Sequence, residues 1–289
     1  MKKLLILSGK GGTGKTTTAA AFLRFSGAEA AADCDVDAPN LHLVAGISGE
    51  PQSAPFMGAD KARIDPEKCI GCGACAESCR FDAVRREQDG KYRVLEHACE
   101  GCAVCTLSCP VGAVEMAEST AGRMDLYQGR RVFSTAELKM GCGNSGMLVT
   151  EVKKAMYKAA PKAELAIIDG SPGVGCPVIA SVTGVDLVLL VTEPSLSGLS
   201  DLERVAETAD ILRTKAAVCV NKADTSPENT QMIRDFCAQR GLPFLGTVPY
   251  DKTAAAAVNR GESVADIDCP AGRALRNIYD RVMELLMKE

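Results

Sequence analysis

Short apolar runs alternate with segments of helical composition along most of the chain. Lys3–Ser8 is an apolar run bounded by glycine, which predicts a buried parallel strand, and Thr16–Phe25 after it predicts a helix. After residue 160 the alternation returns with helical stretches such as Leu199–Leu212 and Glu228–Gln239, and with four strand-like runs: LAIIDG, DLVLLVTEP, AAVCVNKAD and PFLGTVPYD. Repeated strand and helix predict an α/β fold with a doubly wound, mostly parallel sheet, covered by helices on both faces.

The pattern breaks between these parts. Ser48–Asp60 is rich in Pro, Gly and Ser and predicts a connection that leaves the sheet, and the chain is expected to return near Glu118–Gly122. We therefore expect a discontinuous larger domain of residues 1–59 and 119–289, with a small α+β domain of residues 60–118 inserted into it. Ala271–Glu289 carries apolar residues at helical spacing, which favours a last helix packed on the core over one at a membrane surface.

Composition and charge narrow the functional classes. The chain has 289 residues, 46% of them hydrophobic, and a net charge of −4 with its Lys and Arg scattered, which argues against a nucleic-acid partner. The apolar run behind the first residues is too short for a signal peptide, so we expect a cytoplasmic protein without a membrane span. His42 and His97 are isolated and are expected to be packed or solvated.

Eight of the fourteen cysteines fall between Cys69 and Cys109, in two copies of C-x2-C-x2-C-x3-C at a shift of thirty residues. In a cytosolic chain such crowding indicates metal rather than disulfides. Three thiolates of one loop can bind three corners of a cubane while the fourth faces the other site. The predicted [4Fe–4S] ligand sets are Cys69, Cys72, Cys75 and Cys109 for one cluster, and Cys99, Cys102, Cys105 and Cys79 for the second.

The alternative is a pair of zinc sites, but zinc sites usually group cysteines in twos, which this doubled run of four does not do. The segment closely resembles the bacterial two-cluster ferredoxins. Pro110 follows the second run as that family expects, whereas Arg80 replaces the proline after the first. The resemblance implies a ferredoxin-like insert, with a loop around Cys79 that differs slightly.

GKGGTGKT, residues 9–16, fits G-x-x-x-x-G-K-[ST] between a strand and a helix, the context of a phosphate loop. Its backbone N–H groups would bind phosphate, with Lys15 reaching the outer phosphates and Thr16 a ligand of Mg²⁺. A glycine-rich turn that only imitates the motif is the weaker alternative. The expected nucleotide-binding residues here are Gly9, Lys10, Gly11, Gly12, Thr13, Gly14, Lys15, Thr16 and Thr17, and the larger domain is predicted to be a P-loop NTPase.

With Lys10, the loop resembles the deviant phosphate loop of the MinD, ParA, Mrp and nitrogenase iron protein class. DCDVDAPNLHL, AIIDGSPG and NKAD resemble the switches and the base-contact motif of that class, in the same order. The chain is identified as a member of the MinD-like ATPases with an inserted ferredoxin domain, on the fold shared with cobyrinic acid a,c-diamide synthase-type proteins.

This resemblance implies ATP hydrolysis, with Lys10 reaching the nucleotide of a dimer partner and with Lys10, Lys15 and Asp35 as the catalytic set. It implies Asp33 near Mg²⁺, Asp35 positioning the attacking water and Asp169 holding Mg²⁺ through water. It also places Gly170–Gly173 as the γ-phosphate sensor, and Asn221 and Asp224 at the base. NKAD also resembles a GTPase signature, although Lys10 favours ATP.

Two of the remaining cysteines resemble cluster ligands. Cys176 follows Asp169 at the offset of a cluster-binding cysteine in the nitrogenase iron protein, and Cys142 precedes it by almost the spacing of the other. The resemblance implies a third cluster bridging two subunits, against the alternative of small buried thiols. Cys34, Cys219, Cys237 and Cys269 are expected to be structural.

The leading expectation is a dimeric ATPase, of identical chains or with a related chain, that couples ATP to ferredoxin-type electron transfer to a redox partner. The first alternative is an iron–sulfur carrier of the Mrp type, although no C-x-x-C pair follows Cys109. A spatial regulator resembling MinD or ParA ranks lower because the terminal helix lacks a basic face. Amidation is disfavoured, since no segment for handling glutamine is evident.

Overall fold

The structure, a computed structural model, describes residues 1–288 and divides into two compact units. The first contains residues 1–53, 124–136 and 146–288, and the second contains residues 54–123 and 137–145. The stretch 137–145 lies well outside the insert of residues 60–118 that the sequence predicts. Within residues 1–288, none of the helices combines the length and apolar character that a membrane span requires.

The chain forms thirteen strands within residues 1–288. They are β1 (Lys2–Leu7), β2 (Ala30–Asp33), β3 (Gln52–Met57), β4 (Lys61–Ile64), β5 (Val84–Arg86), β6 (Tyr92–Val94), β7 (Val114–Ala117), β8 (Thr120–Gln128), β9 (Val132–Leu138), β10 (Leu165–Asp169), β11 (Leu187–Thr192), β12 (Lys215–Asn221) and β13 (Phe244–Val248). Nine of them form a mixed, mostly parallel sheet in the order β13-β12-β11-β1-β10-β2-β9-β8-β3.

Ten α-helices accompany the strands in the described chain, with short 3-10 helices at Ala223–Thr225 and Val264–Asp266. They are α1 (Lys15–Ser26), α2 (Leu41–Val44), α3 (Ala74–Glu77), α4 (Val104–Ser108), α5 (Ser145–Ala159), α6 (Cys176–Val182), α7 (Leu196–Ile211), α8 (Pro227–Arg240), α9 (Lys252–Asn259) and α10 (Pro270–Met287). The α/β class predicted from the alternation of runs is confirmed.

Strand β1 lies at the centre of the parallel part of the sheet because its apolar run has no polar face to expose. It pairs in parallel with β10 and with β11, and Leu4 through Leu7 are fully buried. Parallel strands covered on both faces are typically continuous apolar runs of this kind. The pairing of Ile6 with Asp169 brings the carboxyl ends of β1 and β10 side by side.

The prediction that Ser48–Asp60 is only a connection is wrong, because Gln52–Met57 forms β3 at the edge of the sheet. Five of its six residues are exposed, so the strand lacks the buried face that produces a recognisable alternation. The neighbouring strands β8 and β9 were not predicted either. The last helix is confirmed as α10, with Leu275, Ile278, Val282 and Leu286 buried, and residue 289 lies outside the described residues.

The second unit contains two small antiparallel pairs, β4 with β7 and β5 with β6, together with the short helices α3 and α4. Each helix follows one of the two cysteine loops. The core of this unit is small, and three of its seven buried members are cysteines: Ala62, Cys75, Ala83, Val84, Cys99, Cys105 and Val114.

Candidate functional site

The loop between β1 and α1 has the backbone conformation that a phosphate loop requires. Gly12 and Gly14 have φ values of 79° and 93°, which non-glycine residues rarely adopt. A Cβ atom on Gly14 would lie 2.2 Å from the amide nitrogen of Asn221, and one on Gly9 would lie 2.4 Å from the Cβ of Asp201. The glycines therefore allow a close approach of other elements as well as the turn itself.

Lys15 is buried between two carboxylates at the start of α1. Its Nζ atom lies 3.1 Å from Oδ1 of Asp169 and 3.4 Å from Oδ2 of Asp35. Burial opposes the lysine charge, but the two aspartates raise its pKa above the ordinary value. Burial raises the pKa of Asp169, which lies at the end of β10 and also accepts a hydrogen bond from Thr16.

Two buried polar atoms around this group have no partner among residues 1–288, namely Oδ2 of Asp169 and Oγ1 of Thr13. Buried polar groups are nearly always paired, so unpaired ones indicate a ligand or ion. A lysine, a hydroxyl and carboxylates at a glycine loop are the donor set that a nucleotide phosphate with Mg²⁺ uses. The residues present therefore fit this pair of ligands.

Asp33 has a structural set of partners. Its carboxylate accepts hydrogen bonds from the backbone N–H groups of Asp35, Asn40 and Leu41 at 2.9 to 3.0 Å. Burial, and then the charge of Asp169, raise its pKa to about 7. Asp33 thereby fixes the segment 34–41 that carries Asp35, while its expected role near Mg²⁺ stays a prediction.

Lys10 is held by side chains that follow β11. Its Nζ atom lies 2.5 Å from Glu193 Oε1, and it donates hydrogen bonds to Ser197 at 3.1 Å and to Ser195 at 3.3 Å. Sequence reasoning missed these three partners. The sequence EPSLS directly after a buried strand could have indicated them, since ligands bind at the carboxyl ends of parallel strands in such sheets.

The NKAD segment, residues 221–224, forms hydrogen bonds to the backbone of the phosphate loop. Asn221 donates from Nδ2 to the carbonyl oxygen of Thr13 at 2.8 Å, and Lys222 donates to the carbonyl oxygen of Gly12 at 3.1 Å. Asp224 accepts from the backbone N–H of Tyr250 at 2.6 Å. These contacts tie the phosphate loop to the loop after β13.

A cavity of about 240 Å³ lies beside the phosphate loop. It is lined by Gly12, Gly14, Thr17, Thr18, Asn221, Lys222, Val248, Pro249, Tyr250, Asp251, Ala254, Ala255, Val258, Asn259, Val264, Ala271 and Leu275. Asn221 is thus where a base contact is expected, whereas Asp224 is not among the lining residues. The loop after β13 was missed because no charged motif marks it.

The eight cysteines between residues 69 and 109 line two separate cavities. Cys69, Cys72, Cys75 and Cys109 lie around the first, and Cys79, Cys99, Cys102 and Cys105 lie around the second. These groups have the same members as the two predicted ligand sets, and each combines three thiols of one loop with one of the other. All fourteen cysteines are free thiols in the structure.

Backbone N–H groups favour the thiolate of Cys109, whereas burial raises the pKa of Cys75 and Cys105. The Ala113 N–H donates to Sγ of Cys109 at 3.2 Å. Slight burial acts to raise the pKa of Cys109, but the N–H groups of residues 111–114 together lower it. No three His, Cys, Asp or Glu side chains of residues 1–288 converge as ligands of one metal ion. A four-iron cluster does not require such convergence, because its ligands bind different corners.

Cys142 and Cys176 lie in different units. Cys142 is partly exposed in the segment 139–144, and Cys176 is exposed at the first residue of α6, where its Cβ lies 3.2 Å from the Cβ position of Gly146. Their role as cluster ligands stays a prediction. Cys34, Cys219, Cys237 and Cys269 are all buried.

The comparison with known families agrees with this geometry. The model of the CobQ/CobB/MinD/ParA nucleotide binding domain matches residues 4–264. The chain belongs to this family. An uncharacterized protein of Methanocaldococcus jannaschii is 31% identical over 291 residues, which cover 98% of this chain and 97% of that protein. An uncharacterized ATP-binding protein of the same organism is 25% identical, over 97% of this chain and 87% of its own length.

Solved structures of the CobQ/CobB/MinD/ParA family share the fold. The cell division ATPase MinD of Pyrococcus furiosus matches with a TM-score of 0.59 at 18% identity, over 98% of this chain and 99% of that one. The septum site-determining protein MinD of Pyrococcus horikoshii, complexed with Mg-ADP, also has a TM-score of 0.59 at 18% identity, over 99% and 97% of the two chains.

Proposed function

We propose that this chain is a Mg²⁺-dependent ATPase that couples its nucleotide state to electron transfer through two [4Fe–4S] clusters. The observation that carries the proposal is that a P-loop family member also has eight thiols in two groups of four, each around its own cavity. The coupling would act by changing how two subunits associate, as nucleotide switches of other proteins do.

For hydrolysis, we assign Lys15 to the outer phosphates and Asp35 to the attacking water. Lys15 is already placed at the carboxylates of Asp169 and Asp35, and a bound phosphate would compete with them for its ammonium group. Thr16 and the free oxygen of Asp169 would hold Mg²⁺, which stabilises the charge of the phosphates. Lys10 would exchange Glu193 for the nucleotide of a dimer partner.

For electron transfer, the insert would act as a ferredoxin-like domain. When bound, each cluster would carry one electron at a potential set by its surroundings. Ile70 and Val111 line the first cavity, and Phe81 and Val104 line the second, so apolar side chains would limit the access of water to each cluster. All four are substantially exposed, as expected of a face that meets a redox partner.

Iron and sulfide analysis after anaerobic purification tests the clusters. We expect about eight irons per chain, and about four fewer in Cys72→Ser or Cys102→Ser. Cys237→Ser, which changes a buried thiol of α8 outside the two groups, is the matched control and should keep the full iron content. Equal iron in all the variants contradicts the assignment.

The coupling needs a separate measurement. ATP turnover is to be compared in anaerobic protein with the clusters oxidised and reduced by dithionite, and midpoint potentials with and without MgATP. We expect each to respond to the other. If ATP turnover does not depend on the oxidation state of the clusters and the midpoint potentials do not depend on MgATP, the coupling is excluded. The chain would then be a nucleotide hydrolase with bound clusters.

An iron–sulfur carrier is the second candidate function, and the exposure of Cys176 favours it, since a transferable cluster needs accessible thiols. A cluster bridging two subunits on Cys142 and Cys176 would raise the iron content from about eight to about ten per chain, since each chain holds half of it. Passage of labelled iron to an apo-acceptor, lost in Cys176→Ser, supports the carrier. Retention of all the iron by the chain supports electron transfer.

A further inference from the structure

A second cavity of the first unit, of about 280 Å³, lies at the end of α1 that is remote from the phosphate loop. It is formed by the end of α1 and the residues just after it, by the segment 45–48 behind α2, and by residues 127–131, which run from the end of β8 to the start of β9. None of its lining residues takes part in the site described above. The cavity is therefore a separate feature of the fold.

Three arginines line this cavity, namely Arg24, Arg130 and Arg131, and none of the lining residues within 1–288 is acidic. The chain as a whole carries a net charge of −4. A basic overall composition therefore does not explain why three arginines and no acidic residue line this cavity. Like charges brought together disfavour one another unless an anion joins them. The grouping points to an anionic ligand.

The three guanidinium groups differ in how they are held. Arg131 donates from Nε to the carbonyl oxygen of Ala28 at 2.6 Å and from Nη2 to that of Leu23 at 2.9 Å, which fixes its plane at the end of α1. Arg24 has one exposed ion pair, with Asp266 at 3.0 Å. The Arg130 side chain is exposed and makes no hydrogen bond or ion pair with residues 1–288.

Electrostatics supports the same view. Burial, and after it the charges of Arg24 and Arg130, lower the pKa of Arg131. An exposed pair such as Arg24 with Asp266 contributes little free energy, so a ligand could take its place at small cost. Guanidinium groups bind carboxylate and phosphate oxygens through two parallel hydrogen bonds, which gives them strong preference for such anions.

We propose that this cavity binds a small metabolite with at least two oxyanion groups, carboxylate or phosphate. Arg131 provides the rigid contact, and Arg24 and Arg130 close on the ligand from the two sides. Leu23, Ile47 and Tyr127 line the same cavity and would contact a short carbon skeleton between the anionic groups. A monatomic anion would leave most of the volume unfilled.

Calorimetric titration of the full chain in metal-free buffer tests the site, with citrate as the carboxylate probe and pyrophosphate as the phosphate probe. We expect saturable binding of at least one probe, weakened about tenfold in Arg130→Gln and in Arg24→Gln, as the loss of a charged hydrogen bond implies. Arg260→Gln changes an exposed arginine that does not line the cavity, and should bind like the unchanged chain.

The phosphate loop is the competing anion site, so the titrations are repeated in Lys15→Ala. Binding that survives in Lys15→Ala and weakens in Arg130→Gln supports the proposal, and the tighter probe identifies the oxyanion. Binding lost in Lys15→Ala but unchanged in Arg130→Gln assigns it to the phosphate loop and overturns the proposal, as does the absence of binding of both probes. Thermal melts of each variant establish that the chain is folded.

Discussion

Gly14 has a left-handed backbone conformation and lies against the side-chain amide of Asn221. Both the backbone conformation and the lack of space for a Cβ atom favour glycine at this position. We expect Gly14→Ala to weaken Mg-ADP binding by at least about tenfold, because the new Cβ strains the loop and displaces Asn221 from the Thr13 carbonyl. Gly129→Ala is the control, since Gly129 lies outside the phosphate loop and a Cβ there meets nothing within 4 Å. Calorimetry measures both, and equal affinities would contradict this account of the loop.

Asp35 and Asp37 are neighbouring aspartates with different environments. Asp35 lies 3.4 Å from Lys15 and burial raises its pKa, whereas Asp37 is exposed. We expect Asp35→Asn to lower ATP turnover by about 10²-fold or more with little change in nucleotide affinity, because positioned carboxylates contribute on that scale. Asp37→Asn should keep most of the turnover. Similar rates in the two variants would remove Asp35 from its proposed role.

At the scale of elements, Lys153 joins two helices. From α5 its Nζ donates to the carbonyl oxygens of Ala180, Ser181 and Thr183 at 2.7 to 2.8 Å, at the end of α6. Replacement by Met leaves these acceptors without a partner. We expect Lys153→Met to lower the free energy of unfolding by about 1–3 kcal/mol, measured by urea denaturation at pH 7.

The same lysine makes stability depend on pH. Burial lowers the pKa of Lys153 to about 8, against an ordinary value of 10.5. Between these values the unfolded chain binds more protons than the folded one, so this group raises the free energy of unfolding as the pH rises from about 8 to 10.5. The difference between the unchanged chain and Lys153→Met isolates this contribution, and a difference that is constant with pH would refute it.

The two cysteine loops are repeats that differ in charge at several positions, and one of these differences lies at a cavity. Ile70 lines the first cavity, and Glu100, thirty residues later, lines the second. If clusters bind as proposed, a carboxylate disfavours the arrival of an electron, so Glu100→Gln should raise the midpoint potential of one cluster and leave the other unchanged. Redox titration followed by electron paramagnetic resonance measures this. Glu77→Gln, an exposed change outside both cavities, is the control.

The elements that the sequence predicted are those whose residues have a strong pattern. Leu4–Leu7 and LVLLVT are continuous apolar runs, and they form β1 and β11. Gln52–Met57 exposes most of its side chains, so this strand depends on pairing at the edge of the sheet. Its sequence therefore lacks the alternation of apolar and polar residues that predicts a strand. The phosphate loop was equally clear, since its glycines, Lys15 and Thr16 have the fixed spacing of the motif.

The contacts around that loop were beyond sequence reasoning. Glu193 and Tyr250 reach the site from loops far along the chain, and only the parallel order of the strands brings those loops to one edge. Likewise Arg24 and Arg131 are separated by more than a hundred residues, and no motif links them. Such groupings follow from topology, which no local pattern contains.

On the scale of the whole molecule, the two units differ in what stabilises them. The first has a broad aliphatic core, whereas the buried core of the second is three-sevenths cysteine. Small cores usually need a metal or a cross-link to be stable. If clusters bind as proposed, their removal under reducing conditions should unfold the second unit while the first keeps its cooperative transition.

Calorimetry combined with limited proteolysis measures this difference. In the iron-free chain, cleavage should be confined to residues 54–123 and 137–145, and the remaining transition should still shift upward with Mg-ADP. The chain with its iron should resist cleavage in the same residues. Unchanged resistance of the iron-free chain would contradict a metal-dependent second unit.

The burial of the cysteines also determines which thiols react with oxygen and with electrophiles. Cys34 and Cys219 are wholly enclosed, and burial raises the pKa of both thiols far above the ordinary value, so an alkylating reagent should leave them intact in the native state. In the iron-free chain, the exposed thiols of Cys72, Cys102 and Cys176 would react first. A brief exposure to air would therefore damage the surface thiols while the framework around the phosphate loop stays chemically unaltered.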